Sequence, residues 1–154
     1  MGTSTSRAGK KAPDLRSPEY RLENQVGHIL RRVSQRARKN MLDRIAELGL
    51  TPMQTAAMMA LFENGQTSQN KLGRLIGMEP SNVPGLVRRL RKKGMLELGR
   101  DPDSSRRYVL KLTPEGMAIV KKAIPRSYAA NQKTLSPLTA EEKRTLLRIL
   151  NKLM

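Results

Sequence analysis

The sequence predicts a mainly α-helical fold with one small β element, on the basis of three observations. Apolar residues recur at steps of three or four along most of the chain, which is the period of an amphipathic helix. Two short helical patterns separated by Gly77 predict a helix-turn-helix. After Gly94 the apolar period changes from about 3.6 to about 2, as in a β-hairpin, and it then returns to helical spacing.

The first 18 residues predict a segment without a fixed fold. They combine Gly, Ser, Thr and Pro with Arg7, Lys10, Lys11 and Arg16. Their few apolar side chains cannot offset the entropy of ordering the chain. We therefore expect a disordered basic arm over residues 1–18 and a single domain over residues 19–154.

One long helix is expected from Tyr20 to Leu48, with Gly49 as its stop. Its apolar stripe consists of Leu22, Val26, Ile29, Leu30, Val33, Ala37, Met41, Ile45 and Leu48. A helix of about 28 residues would span roughly 40 Å, which is longer than the core of so small a domain can cover. Part of the stripe is therefore expected to pack on a second copy of the chain.

Three shorter helices are expected next, over residues 52–64, 68–76 and 80–93. Thr51 caps the first of them and Pro52 occupies its first helical position. Pro84 lies about five residues into the third, where we expect it to remove one backbone hydrogen bond and distort the first turn.

A two-stranded hairpin is expected between Gly94 and Thr113. Met95–Leu98 and Tyr108–Leu112 have the strand pattern, and residues 100–107 connect them. This connection would place Arg106 and Arg107 at the hairpin tip.

Two helices close the predicted fold. The first begins at Thr113 and contains Pro125, which we expect to kink it. The second begins with the capping box Thr139-Ala140-Glu141-Glu142. Residues 50–113 are thus expected to form a winged helix-turn-helix lobe, with residues 19–49 and 114–154 as long dimerisation helices in an α+β fold.

The charge of the chain points to a polyanionic partner. Thirty Lys and Arg residues against thirteen Asp and Glu residues give a net charge of +17, which favours nucleic acid. A solvated basic surface that aids solubility and a membrane surface are the alternatives. No Trp and only Phe62 are present, which is unfavourable for an interfacial membrane helix. With no long apolar run or signal-peptide core, we expect a cytoplasmic protein without membrane association.

Catalytic and metal chemistry lack their usual residues. The chain has no cysteine and a single histidine, His28, so neither disulfides nor a His/Cys metal site can form within one chain. There is no glycine-rich phosphate loop and no Gly-x-Ser-x-Gly motif. We expect no metal, no cofactor and no enzymatic activity.

Three segments in this order resemble the MarR family of bacterial winged helix-turn-helix regulators. They are residues 50–54 (Leu-Thr-Pro-x-Gln), residues 86–96 across the fourth helix, and residues 100–116 across the hairpin. The sequence departs from the family pattern at Pro84 and at Ser104. Ser104 stands where the family commonly has an Asp two residues before the wing arginine, here Arg106, so that carboxylate is missing or is supplied by Asp103.

The resemblance implies a homodimer that binds double-stranded DNA at an imperfect palindrome. A recognition helix in the major groove reads bases with its amino-terminal residues, here Ser81 and Asn82. Arg88 and Arg89 would contact phosphate or guanine, and Arg106 and Arg107 would enter the minor groove. The alternatives are a solvated helix face for the arginines of the fourth helix and a simple polar turn for those of the hairpin.

The first helix carries an unusual group of cations. Arg31, Arg32, Arg36, Arg38 and Lys39 lie within nine residues. A solvated face is one interpretation. The other is a site for a small anionic effector, an aromatic acid or an acyl-CoA thioester, formed by the four arginines with His28 one turn earlier.

Two functions from different classes follow. The first is a sequence-specific transcriptional regulator, expected to be a repressor released by the anionic effector. The alternative is a ligand-independent, architectural DNA-binding protein that uses charge alone, which would bind any duplex with similar affinity.

Overall fold

The computed structural model describes residues 16–101 and 104–154, without the side chains of Glu19, Ser105 and Arg106. Most of the predicted arm, residues 1–15, lies outside the described part, so the division at residue 18 stays a prediction. The chain separates between Gln35 and Arg36 into two compact units.

The first unit contains two short 3₁₀ turns, Pro18–Tyr20 and Leu22–Asn24, before helix α1 (Val26–Ile45) begins. The prediction of a continuous helix from Tyr20 was wrong. Arg21 and Gln25 are extended, with ψ of 137° and 122°, and the Asn24 amide donates to the carbonyl of Pro18 at 2.6 Å. The backbone N–H groups of Asn24 and Gln25 donate to the carbonyls of Arg21 and Leu22, three residues earlier, in place of α-helical bonds to the fourth residue back.

Helix α1 ends in the second unit, where a 3₁₀ turn (Ala46–Leu48) leads to Gly49. Gly49 has φ 64° and ψ 23°, the left-handed conformation expected of a helix stop. Ile45 is fully buried, and Met41 and Leu48 pack against the same core. The carboxyl-terminal part of the predicted apolar stripe is therefore core.

Helices α2 (Pro52–Asn64) and α3 (Gln69–Ile76) begin at the predicted caps. The Thr51 hydroxyl accepts from the Gln54 N–H at 3.2 Å, and the Gln54 side chain accepts in return from the Thr51 N–H at 3.0 Å. Ser68 caps α3 through the Lys71 N–H at 3.3 Å. Both helices bury residues in the core, including Met58, Leu61 and Leu72.

The recognition helix has two parts, a 3₁₀ turn (Pro80–Asn82) and helix α4 (Val83–Lys92). Pro84 is the second residue of α4, where a backbone N–H has no helical acceptor and proline costs no hydrogen bond. The expectation that Pro84 lies deep in the helix and removes a bond was therefore wrong, because α4 starts three residues later than predicted.

Strands β1 (Leu96–Asp101) and β2 (Ser104–Leu112) form one antiparallel hairpin. Both extend into the segment predicted as a connection, because Arg100 pairs with Tyr108 across the strands and its guanidinium lies 5.0 Å from the Tyr108 ring centre. A further bridge joins Thr67 to Leu110 through two backbone hydrogen bonds of 3.0 and 2.7 Å. This bridge holds the hairpin base against the α2–α3 connection.

Helices α5 (Pro114–Thr134) and α6 (Ala140–Asn151) close the fold. Helix α5 continues through Pro125, which is solvent-exposed. Thr139 and Glu142 form the predicted capping box, with bonds of 2.8 and 3.3 Å. The mainly helical fold with a two-stranded wing is therefore confirmed.

Candidate nucleic-acid interface

Helix α4 separates an apolar face from a basic one. Its four apolar residues are each at most 3% exposed and belong to the core: Val83, Leu86, Val87 and Leu90. At about 100° per residue, positions 85, 88, 89 and 92 point to the opposite side. Arg88, Arg89 and Lys92 are exposed there, so the outward face carries positive charge without apolar side chains.

Ser81 and Asn82, the predicted base readers, lie at the amino-terminal end of this outward face. Both are exposed in the 3₁₀ turn before α4. The Asn82 backbone N–H donates to the Glu79 carbonyl at 2.9 Å, while its side chain makes no capping bond to α4. The Asn82 amide is thus exposed at the end of the helix that would enter a major groove.

A shallow depression with a volume of about 520 Å³ separates α4 from strand β1. Arg88, Arg91 and Lys92 line one side of it, and Glu97 lies on the other. Glu97 is held by Lys111 on the neighbouring strand, at 3.0 Å. Among the described residues no carboxylate pairs with Arg88, Arg91 or Lys92, so these three cations can bind an external anion.

Lys93, the next basic residue, has a different role. Its ammonium group donates to the carbonyl of Gly49, at the junction between α1 and α2. The run of cations at the end of α4 therefore divides into residues that face outward and one that ties the helix to the core.

The hairpin wing presents Arg107 to solvent from strand β2. The expectation that Arg106 and Arg107 form the hairpin tip was wrong, because β2 begins at Ser104 and both residues lie within the strand. The Arg106 side chain and Asp103 are outside the described part of the chain. The role of both arginines in the minor groove stays a prediction.

A groove of about 610 Å³ lies between the wing and the start of α3. Asn70 and Lys71 line it on the α3 side, and Arg107 and Tyr108 line it on the wing side. Sequence reasoning missed Asn70 and Lys71 as candidate contacts. The Ser68 cap marked the start of α3, but only the packing of the wing shows that this end lies beside Arg107.

The predicted effector residues are brought together only in part. In the first unit, His28 is half-buried and Arg31 is exposed, and Arg31 Nη2 lies 3.3 Å from His28 Nδ1. Arg32 is exposed as well. In the second unit, Arg36 and Arg38 are both exposed, but two residues on a helix are about 200° apart. Arg36 and Arg38 therefore point to opposite sides of the helix and do not form one site for a small ligand. His28 and Arg31, by contrast, lie side by side.

The described residues show neither a metal site nor a membrane-spanning helix. No group of three His, Asp or Glu side chains among them could hold a metal ion. No helix in this part of the chain is long and apolar enough to cross a membrane.

Comparison with known proteins finds relatives that are transcriptional regulators. The family model described as MarR family matches residues 48–107. The HTH-type transcriptional repressor NicR of Pseudomonas putida is 28% identical over 140 residues, which are 91% of this chain and 89% of NicR. The crystal structure of a probable transcriptional regulator from Pseudomonas aeruginosa is 38% identical, with a TM-score of 0.81, and the match covers 87% of this chain and 100% of that one.

A third relative is BpsR of Bordetella bronchiseptica, a protein whose DNA binding is regulated by 6-hydroxynicotinic acid. It is 29% identical with a TM-score of 0.81, over 87% of this chain and 96% of BpsR. NicR is a transcriptional repressor and the Pseudomonas aeruginosa protein a probable transcriptional regulator, so the expectation that this chain is a regulator and not an enzyme is confirmed. The chain belongs to the MarR family of DNA-binding transcriptional regulators.

Proposed function

We propose that this protein is a sequence-specific repressor that binds an imperfect palindrome as a homodimer and is released by a small aromatic carboxylate. The observation that carries the DNA-binding part is the outward face of α4. It presents Ser81 and Asn82 at one end and cations along its length, while its apolar residues are buried. A helix with these properties fits the major groove, where amide groups read base edges and arginines hold phosphate or guanine.

Exposed apolar side chains support the homodimer. In the first unit, Val26, Ile29, Leu30 and Val33 are between 40% and 63% exposed. In the second unit, Ile149 and Leu153 are 46% and 67% exposed at the end of the chain. Apolar stripes of this kind are buried when a second copy covers them. Two copies would present two recognition helices about 34–36 Å apart, which is one turn of DNA.

The effector proposal rests on charge chemistry and on the relatives. An arginine guanidinium binds a carboxylate with two parallel hydrogen bonds, and Arg31 beside His28 offers such a group. BpsR responds to 6-hydroxynicotinic acid, an aromatic acid. Of the two anions that the sequence allows, this relative favours an aromatic acid over an acyl-CoA thioester.

Selection from a random duplex library followed by fluorescence anisotropy tests the DNA-binding proposal. We expect the selected duplex to bind at least about 10³-fold more tightly than a scrambled duplex of the same composition. Equal affinities would contradict the repressor and support the alternative of a charge-driven architectural protein. The selected sequences should also contain two related half-sites, since a homodimer presents the same surface twice.

Release by effector is measured on the same complex. 6-Hydroxynicotinic acid, nicotinic acid and benzoic acid are titrated, each beside its uncharged amide as a matched control, with coenzyme A as the test of the larger anion. We expect at least one acid to dissociate the complex and its amide to have no effect. If no acid weakens binding while the selected duplex still binds specifically, the effector proposal fails and the DNA-binding proposal stands.

A further inference from the structure

Neither packing nor backbone conformation among the described residues requires a glycine at position 85. Two other glycines are required by packing, since a Cβ at Gly73 would lie 2.9 Å from Val83 Cγ2 and one at Gly116 would lie 2.1 Å from the Met95 carbonyl oxygen. The glycines with positive φ are required by their backbone conformation: Gly49, Gly65, Gly77 and Gly94. Gly85 belongs to neither group.

The surroundings of Gly85 are open. Beyond its chain neighbours and the backbone of its own helix, one atom of the described residues lies within 4 Å of a Cβ at this position: Nη1 of Arg89, at 3.4 Å, the far end of a flexible side chain. Glycine is also unfavourable for the helix, because it has more conformational freedom to lose than alanine. The fold alone would therefore accept, and even favour, a methyl group at this position.

The position of Gly85 on α4 suggests what the methyl group would disturb. Gly85, Arg88 and Lys92 follow one another at steps of three and four residues, which places them in one row along α4. Ser81 precedes this row, in the 3₁₀ turn before the helix. The row is on the side opposite to the buried residues of α4. Gly85 is thus a gap without a side chain between a short polar residue and the first arginine of the outward face.

We propose that Gly85 determines specificity by letting the backbone of α4 lie directly against the base edges in the major groove. The inference rests on the proposed function, because it requires that this face meets DNA. A Cβ at position 85 would hold the helix away from the bases. The distance from the side chains of Ser81 and Asn82 to the base edges would then increase. Contacts to phosphates, made by the longer side chains of Arg88 and Lys92, tolerate that displacement.

The test compares Gly85→Ala with Gly27→Ala on the selected and the scrambled duplex. Gly27 is the matched control, since it lies in a helix and a Cβ there would meet no described atom within 4 Å beyond its chain neighbours and its own helix backbone. For Gly85→Ala we expect a melting temperature at or above that of the wild type and at least about tenfold weaker binding to the selected duplex. Its affinity for the scrambled duplex should stay within about twofold. Gly27→Ala should bind both duplexes as the wild type does.

A second comparison separates close approach from an effect on Arg89. The same Gly85→Ala change is made in an Arg89→Ala background, in which the neighbouring guanidinium is absent. We expect a similar fold-loss on the selected duplex. A loss that disappears in this background would assign the effect to Arg89 and overturn the proposal.

Two other results would overturn the inference about Gly85, and they differ in whether the proposed function fails with it. If Gly85→Ala binds the selected duplex like the wild type, the inference about Gly85 fails and the proposed repressor remains. If the wild type itself does not distinguish the selected duplex from the scrambled one, the proposed function fails and the inference fails with it.

Discussion

The start of helix α5 lies directly against the start of the wing, with Gly116 on the carbonyl group of Met95. A Cβ at Gly116 would be 2.1 Å from the Met95 oxygen and 2.9 Å from its carbonyl carbon. The same carbonyl accepts a hydrogen bond from the Thr113 N–H at 3.2 Å, and the Thr113 hydroxyl donates to the Gly94 carbonyl at 2.6 Å. The wing is thereby fixed to α5 by a close backbone contact and by two hydrogen bonds, one from the backbone and one from the hydroxyl of Thr113.

Gly116→Ala should destabilise the protein because the added methyl group meets backbone, which cannot move aside as a side chain can. We expect a loss of about 1–3 kcal/mol in the free energy of unfolding, measured by urea denaturation. Gly99→Ala in strand β1 is the control, since a Cβ there would have ordinary contacts of 3.5 Å or more. Equal stability of the two variants would contradict the close contact at Gly116.

Asn82 and Lys92 should affect DNA binding in different ways. Asn82→Ala removes a group placed to read a base, so we expect binding to the selected duplex to weaken by about 1–3 kcal/mol. Lys92→Ala removes a phosphate contact, so it should weaken both duplexes and reduce the slope of log affinity against log salt by about 0.9. Fluorescence anisotropy over a salt series measures both effects.

A charge-matched control accompanies this pair. Lys152→Ala removes the same charge from the exposed residue that follows α6, and we expect the salt slope to stay at the wild-type value. If Lys152→Ala lowers the slope as much as Lys92→Ala, net charge and not the outward face of α4 governs DNA affinity.

Ile149 offers a test of the homodimer. It is 46% exposed on α6, and Ile149→Glu would bury a charge in any interface that covers it. We expect sedimentation to show a shift from dimer towards monomer, together with weaker binding to the selected duplex. Asn151→Glu adds the same charge about 200° away around the helix and should leave the dimer intact. A dimer unaffected by Ile149→Glu would place the interface elsewhere.

Locally encoded features were predictable from the sequence. Thr51, Ser68 and Thr139 cap helices through residues three positions later, and such caps can be read directly from the chain. The alternation of apolar and polar residues along α4 is also local, because it depends only on the helical period. It predicts that Arg88 and Arg89 are exposed on the outward face.

Features that depend on distant partners were not predictable in the same way. The wing strands are longer than predicted because Arg100 and Tyr108 pair across the hairpin, and neither residue signals the other in the sequence. The Thr67–Leu110 bridge, which sets the wing beside α3, joins residues far apart in the chain. For the same reason Lys71 was missed as a neighbour of Arg107.

The hydrogen bonds of Glu142 in the capping box should make the stability of helix α6 depend on pH. The backbone N–H of Thr139 donates to the Glu142 carboxylate at 2.8 Å. This bond and the Thr139 hydroxyl lower the pKa of Glu142 below its usual value. Because the folded-state pKa is the lower one, the stabilisation is present above the ordinary carboxyl pKa and is lost as the pH falls through the lowered value.

Hydrogen exchange of the α6 amides across this acid range measures the effect. We expect the first turn of α6 to lose protection as Glu142 becomes protonated, and Glu142→Gln to remove that pH dependence, because glutamine keeps an acceptor for the Thr139 N–H and does not titrate. Glu141→Gln is the matched control, since Glu141 lies in the same turn but is not the residue that completes the capping box. If Glu141→Gln abolished the pH dependence and Glu142→Gln did not, the capping box could not be its origin, and the helix dipole acting on any carboxylate of the first turn would explain it.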